Sequence, residues 1–561
     1  IDKSVWDSVA ANVAKAITDS VIDASLGTMP PEYAPSLPEF RGKLRARRDQ
    51  LPEAAAEYYA SLATVVDLHA TDAADHARVM RSGEGIVDVI VQSGGDAPYL
   101  RRRFDARETR EIRLCLHGGD DVATITGDVE RSIPVRIIGG NGDNRLIDSS
   151  TVARKRDPTR LYDAGRVSTV EYEPPSVTRK KAESDEVNLP FNRIPWVRAY
   201  GETIPPSRDH GTRMTPVLGL RTGHGLGLVP RVGIARHTYA FRNIPYRSMT
   251  KADFAYSTAI GGFEVGIERD QRFESSAFHL PAAARLSQIV VGEFRGFGNA
   301  VANARGSFYD VRATQWIVRP AVGLSFGARS DVTVGPVVRY TRTDSAANFI
   351  SQNRPYGFGR FGQAGVRLEL VHDTRSAVDT IRSRGGISFD GTEDPPLWGT
   401  VSFGGSIYPG LWDAKTAYQE IAGVAAAYLT LPFLTRPVVA VRAGGAKLFG
   451  NFPYFDAAFL GGSRSLRTEH RQRYAGDASI YGSTELRMPL AQFPFILPLD
   501  IGSLGFVDIG RVYADGDSPG GWHKGAGAGF WVGVANPATN VNVTVTNNPE
   551  RRILVDLGFA F

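Results

Sequence analysis

Tyr246-Arg247-Ser248-Met249-Thr250-Lys251-Ala252-Asp253-Phe254-Ala255-Tyr256-Ser257-Thr258 sorts its side chains onto two faces with a period of two. One face carries Tyr246, Ser248, Thr250, Ala252, Phe254 and Tyr256; the other carries Arg247, Met249, Lys251 and Asp253. The same alternation returns where Val366, Leu368 and Leu370 oppose Arg367, Glu369 and Asp373. It closes the chain, where Ile553, Val555, Leu557, Phe559 and Phe561 oppose Arg552, Asp556, Gly558 and Ala560. From about residue 195 onward no convincing amphipathic helix interrupts such segments, and Gly, Asp, Asn, Ser and Pro separate them. A water-soluble sandwich alternates too, but water-soluble sheets of this extent usually split into domains. At roughly 23 residues per strand and connection, the region holds about 16 strands, an even number that suits a transmembrane barrel. The charged face then lines a wet lumen and the apolar face meets lipid. Phe561, in phase with Phe559, ends the chain on an aromatic at the lipid–water boundary.

The composition agrees with that reading. The 561 residues include 65 basic and 60 acidic side chains, a net charge of +5 that is spread along the chain and argues against nucleic acid as a partner. No apolar run approaches the roughly 18 residues of a spanning helix, which leaves barrels open because their strands need only about 9–11 alternating residues. The 60 glycines suit turns and crowded strand crossings. The single Cys115 excludes an intramolecular disulfide and a cysteine zinc cluster. The chain begins at Ile1 without an initiator Met, as in a processed form or the later part of a longer protein.

The pattern divides the chain into three regions. Residues 1–75 read as a helical segment: Val5, Trp6, Val9, Val13, Ile17 and Val21 come after Ser4 at helical spacing, Ser36-Leu37-Pro38-Glu39 is a second start, and Leu51-Pro52-Glu53 a third. The basic group Arg45, Arg47 and Arg48 reads as a solvated helix face. Residues 76–185 read as a small all-β domain and linker, expected in the periplasm. Its short strands are Gly85–Val91, Glu111–Leu116, Val122–Ile125 and Val135–Ile138, with glycine turns at 118–121 and 139–143 and a linker over 173–196. Residues 186–561 form the expected outer-membrane barrel. The fold class is mostly β.

The last hundred residues carry an ordered set of motifs: Gly461-Gly462-Ser463-Arg464-Ser465-Leu466-Arg467, then Arg473-Tyr474-Ala475-Gly476-Asp477, Glu485-Leu486-Arg487-Met488-Pro489-Leu490, Gly505-Phe506-Val507-Asp508-Ile509-Gly510 and Leu557-Gly558-Phe559-Ala560-Phe561. This order resembles the bacterial surface antigen superfamily, the BamA-like outer-membrane assembly and translocation barrels. The resemblance implies a 16-stranded barrel whose long sixth extracellular loop folds into the lumen and carries a Val/Ile-Arg-Gly-aromatic tip. Its Arg contacts an acidic residue on the wall. Leu466-Arg467 matches the tip, while Thr468-Glu469 departs from Gly-aromatic; Asp508 matches the wall carboxylate, with Glu485 a second candidate. Gly558, Phe559 and Phe561 match the terminal strand signal at the seam. Phe241–Tyr246, Phe294–Asn299 and the stretch Glu108–Arg113 with Gly118–Asp121 are more weakly similar to a subgroup with a β-rich domain before the barrel. The βααββ peptide-binding modules of BamA itself are not found in the sequence.

Other motifs carry less. Gly139–Leu146 resembles one calcium-binding glycine-rich turn, with Asp120, Asp121 and Asp143 as candidate ligands, but a plain β-turn explains it as well. Gly357–Gly362 fits Gly-x-Gly-x-x-Gly yet leads into strand-like alternation, not a helix. No P-loop, nucleophile elbow or His-Glu-x-x-His occurs, so no enzyme and no cofactor are expected within these residues. The function implied by the resemblance is assisting insertion or translocation of proteins at the outer membrane. The partners would be outer-membrane lipids or lipopolysaccharide and client outer-membrane proteins or envelope complex subunits. The competing readings are a structural anchor, or carrier of an upstream enzyme domain, and a plain channel or porin.

Overall fold

The computed structural model describes residues 3–181 and 208–557, apart from 84, 154–157, 164–168, 173–176, 224, 302–306, 327–329, 345–346, 375–396, 434, 495–497, 535 and 548–552. The chain divides into two units, Ile1–Pro206 and Ser207–Phe561.

The first unit opens with helices Lys3–Ala16, Asp19–Leu26 and Leu37–Ala63. The apolar run from Val5 to Val21 is split, because Thr18 turns extended and its hydroxyl accepts from the amide of Val21 at 3.3 Å. Ser36 makes no side-chain cap, and one helix runs on through Pro52, where a third start was expected. Trp6 holds the first helix to the third: Nε1 donates to the Ala55 carbonyl at 2.7 Å, beside the rings of Tyr58 and Tyr59. Arg45 and Arg48 face Asp19 on the second helix, at 3.2 and 2.6 Å. The helical segment ends at Ala63 and not at 75, since Val65–His69 alternates and pairs in a sheet.

The strands after the helices stack as a parallel solenoid. Val66 lies beside Ile112, Ile112 beside Val135, and Val135 beside Thr159. The next two rungs follow after 23 and 24 residues, and the last, Val177 beside Thr159, after 18. The first rung is about twice as long because the hairpin Ile86–Ser93/Leu100–Asp105 is inserted in it. A second face stacks Ala77, Ala123 and Leu146 in the same register. The core is the column Leu68, Leu114, Ile137 and Leu161 together with Val79, Ile125 and Leu146, all buried. The expected linker contributes a rung: Val177–Lys181 pairs with Thr159–Asp163.

The glycine turns at 118–121 and 139–143 are successive copies of one corner. Gly119 and Gly142 both take left-handed φ, +108° and +107°, and a Cβ on Gly142 would lie 1.9 Å from the Gly119 carbonyl oxygen. Beside them runs a side-chain ladder. The Asp75 amide donates to Asp121 Oδ1 at 2.8 Å, and the Asp121 amide donates to Asn144 Oδ1 at 3.1 Å. Asp120 Oδ1 accepts from the Asp143 amide at 2.8 Å. Of the calcium candidates Asp120, Asp121 and Asp143, the first two cap the corner with their carboxylates, and Asp143 takes part through its backbone amide. Among the described residues no group of three His, Cys, Asp or Glu is placed to hold a metal ion.

The second unit is one antiparallel sheet in sequential order, from Thr212–Gly223 to Ile553–Leu557. Asp310–Pro320 and Val322–Ser325 are two parts of one interrupted strand, since both lie between Phe278–Glu293 and Asp331–Thr343. The sheet therefore has sixteen staves. The first and last staves approach each other, so the sheet closes into a barrel. Among the described residues no ladder joins those two staves.

The barrel is inside out relative to a soluble fold. Leu218, Val232, Phe254, Ile267, Val366, Val507 and Phe530 are exposed on its outer wall. Asp253, Glu264, Glu485, Arg487 and Asp508 are buried in its interior. An apolar exterior and a charged interior are what lipid outside and water inside select. Within the opening segment the pairing strand is Ser248–Tyr256: Ala252, Phe254 and Tyr256 point out while Asp253 points in. Tyr246 lies before it and donates its hydroxyl to Asp270 at 3.0 Å.

Candidate functional site

The stave Val438–Gly450 ends where Gly450 turns to φ +90°, and the chain then enters the lumen before returning along Ala478–Pro494. This connection, the sixth on its end of the barrel, is held at two walls.

The first anchor is the 3-10 turn Tyr454–Asp456. Asp456 accepts from Gln363 Nε2 at 2.8 Å and from the Tyr418 hydroxyl at 2.6 Å, and it pairs with Arg339. Tyr454 shares a hydrogen bond of 2.8 Å with Thr343. These partners come from neighbouring staves, and nothing in the local sequence around Asp456 singles it out.

Beyond this turn the two limbs of the loop pair with each other, Leu460 with Tyr474 through both backbone bonds. Leu460, Leu466, Tyr474 and Val512 pack into a small core that sets the loop against the stave Pro498–Tyr513. Gly461 (φ +120°) and Gly462 (φ +91°) make the turn, because a Cβ on Gly461 would lie 2.2 Å from the His470 carbonyl oxygen.

The tip delivers Arg467 to the wall formed by the two staves that follow the loop. Its amide and Nε donate to Asp508 Oδ2 at 2.9 and 3.0 Å, and Nη2 donates to Asp508 Oδ1 at 2.7 Å. Nη1 donates to Glu485. The guanidinium lies 3.7 Å above the Phe506 ring. Glu485 in turn accepts from Arg487 Nε at 2.6 Å, and Arg487 reaches Asn542 Oδ1 at 3.0 Å. Two cations and two carboxylates thus offset one another where they are buried, the condition under which ions tolerate loss of water. Arg467, Asp508 and Glu485, each singled out in the sequence, are brought together. Gly558, Phe559 and Phe561 lie outside the described residues.

Three features at this site were not legible beforehand. Thr468 stands where the family pattern has glycine, and the wall makes room for it: a Cβ on Gly525 would lie 2.1 Å from Thr468 Oγ1. Glu469 turns to Arg473 at 3.2 Å. Next to the ion cluster, Leu504, Phe506, Trp531, Tyr428 and Val438 form an apolar core inside the barrel. Trp531 fits because Gly502 leaves a gap that its own Cβ would close, at 2.3 Å from the ring. A second connection also reaches across: Asn299 pairs with the backbone of Val512, donating at 2.7 Å and accepting at 2.9 Å.

No family model and no curated protein matches the sequence. Among solved structures, the chain is similar to BamA from Haemophilus ducreyi lacking POTRA domains 1-3, at 15% identity and a TM-score of 0.43, over 61% of this chain and 68% of that one. It is similar to CdiB from Escherichia coli at 13% identity and a TM-score of 0.42, over 64% and 62%. For CdiB from Acinetobacter baumannii the values are 10% and 0.38, over 62% and 57%. The chain thus spans less than two thirds of either CdiB.

Proposed function

We propose that this protein is an outer-membrane barrel that helps other proteins insert into or cross that membrane, without enzymatic chemistry of its own. The observation that carries the reading is the lock of Arg467 on Asp508 and Glu485, which fixes a long loop inside the lumen. In this reading the seam between the first and last staves is the route for a client. Unpaired backbone groups there are costly in lipid and receptive to an incoming strand. In this reading Gly558, Phe559 and Phe561 shape that seam, the solenoid lies in the periplasm, and the partners are client proteins and envelope lipids. An anchor for a larger envelope complex is the alternative to beat.

The test is reconstitution of the whole chain in liposomes with an unfolded client barrel. Arg467→Ala should lower the yield of protease-resistant client at least severalfold, and Arg467→Lys, which keeps the charge but loses the bidentate fork, should fall between. Equal client yield from all three proteins, each first shown to be folded by its heat-modifiable migration, would overturn the reading.

A further inference from the structure

On the outer wall, at the end of the barrel that carries the long connections, three arginines lie together. Arg312 opens one stave, Arg342 is near the end of the next, and Arg360 opens the third. Arg342 and Arg360 are direct cross-strand partners, and Arg342 faces Thr314, two residues from Arg312 on the same face. All three are exposed, and no ion pair to any of them is found among the described residues. Asp344 is the one carboxylate on this face of the middle stave, its amide donating to the Arg312 carbonyl at 2.8 Å. Like charges side by side repel, and one carboxylate does not offset three guanidinium groups.

One step further along the same staves lies a layer of aromatic rings. Trp316 and Tyr340 stack at 6.0 Å. Trp412, from the connection after Leu397–Tyr408, lies over both, at 6.1 and 5.9 Å. Trp412 is held there at a cost, because its φ is +63°, a region a bulky side chain rarely adopts. Asp413 fixes it: its carboxylate accepts from the Gly362 amide at 2.7 Å, and its amide donates to the Gly362 carbonyl at 3.1 Å. Gly362 is obligatory beneath the indole, since a Cβ would sit 2.1 Å from the ring. Despite this support Trp412 remains 55% exposed. Another step along comes Val318, and one step beyond it Val366, both exposed and apolar.

The order from the rim inward is therefore cationic, aromatic, aliphatic, with about 6.6 Å between successive layers on one face of a strand. That order matches a membrane lipid read from headgroup to acyl chain. We propose that this patch binds a lipid whose headgroup carries phosphate, with Arg312, Arg342 and Arg360 on the phosphate, the Trp316–Tyr340–Trp412 layer at the headgroup–chain boundary and Val318 and Val366 on the acyl chain. Guanidinium groups match phosphate oxygens geometrically, and interfacial Trp and Tyr occupy this depth in a bilayer. A soluble phosphate would leave the aromatic and aliphatic layers without a role. The inference rests on the membrane-barrel reading but not on the handling of client proteins.

The experiment uses the full chain in detergent micelles, first shown to be folded by heat-modifiable migration, with lipid retention read by native mass spectrometry. The probes are a bisphosphorylated lipid A, its dephosphorylated form and inorganic phosphate as competitor. The wild type should retain the phosphorylated lipid over the dephosphorylated one. Each arginine changed to Gln should weaken retention about fivefold, and Arg312→Gln/Arg342→Gln/Arg360→Gln together by on the order of a hundredfold. Trp412→Ala should weaken retention of both lipids by a similar factor, which a purely ionic patch would not show. Unchanged retention in the folded triple variant, or full displacement by inorganic phosphate at an equal concentration, would overturn the proposal. Failure of the wild type to show heat-modifiable migration would instead refute the barrel itself.

Discussion

The solenoid and the barrel are built from the same period-two alternation and bury opposite faces of it. Leu114 in the solenoid is 0% exposed and Leu218 in the barrel is 77% exposed, while Asp508 in the barrel is 0% exposed. Alternation sorts side chains into two sets; it does not say which set goes inside. The enclosed width decides. A rung of the solenoid encloses a space that two facing layers of Leu, Ile and Val fill. A sixteen-stave barrel encloses more than side chains can fill, so its interior holds water, ions and a folded loop. The solvent outside then selects the outer face.

The most damaging single change should strike an ion pair in one region and do little in the other. Arg467→Ala removes the guanidinium that both buried carboxylates, Asp508 and Glu485, hold, and breaking a buried pair in this way costs about 3–5 kcal/mol. The heat-modifiable band of the whole chain should convert at a clearly lower temperature. Arg103→Ala removes an exposed pair with Asp88 in the solenoid hairpin and should leave every transition where it was. Equal losses from both would mean that the barrel interior is as wet as the solenoid surface.

A leucine pair tests the same contrast from the apolar side. Leu114→Ala opens a cavity in a packed column and should destabilise the solenoid by about 2–5 kcal/mol. Leu218→Ala removes the same atoms from the outer wall, where lipid chains can flow into the gap, and should leave the barrel's transition nearly in place. Hydrogen exchange across the whole chain reports both. A large effect at Leu218 would point to a protein partner, not lipid, on that wall.

How far these outcomes could be anticipated differs between the regions. The barrel was legible because its strands are long and its motifs local: Leu466-Arg467 and Phe506-Val507-Asp508 carry their context with them. The second loop anchor was not, because Asp456 acquires its meaning from Arg339, Gln363 and Tyr418, which are far away in sequence. The solenoid strands were legible one by one, but their stacking was not. Its repeat rests on a few matched pairs, Leu114 with Ile137, Gly119 with Gly142 and Asp121 with Asn144, and an inserted hairpin doubles the first interval. The helix start at Ser36 was recognised, whereas the break at Thr18 was hidden by apolar residues that keep helical phase on both sides of it.

The corner ladder gives the finest test, because one rung uses an acid where the next uses an amide. Burial pushes the Asp121 carboxyl from 3.8 up to about 7, aided by the nearby charges of Asp75 and Asp120, although the Asp75 amide pulls the other way. Asp75 is also buried, but hydrogen bonds from Ser93 and Thr71 outweigh the burial and keep it below its ordinary value. For Asp121 the folded protein holds a proton that the unfolded chain has released above about pH 4. The native state therefore binds more protons between about pH 4 and pH 7, and stability falls as pH rises through that window and levels off above it. Asp75 acts with the opposite sign, and only below its ordinary value. Asp121→Asn installs the side chain that Asn144 already provides on the next rung, keeping an oxygen for the Asp75 amide. Protection of the 111–148 amides in the variant should then lose the fall that Asp121 causes between about pH 4 and pH 7, after correction for intrinsic exchange, keep the opposite slope of His69 and His117, whose pKa values burial lowers, and be higher than wild type at the alkaline end. Identical profiles from wild type and variant would mean that Asp121 is ionised throughout, with water reaching the corner that the stacked glycines otherwise close.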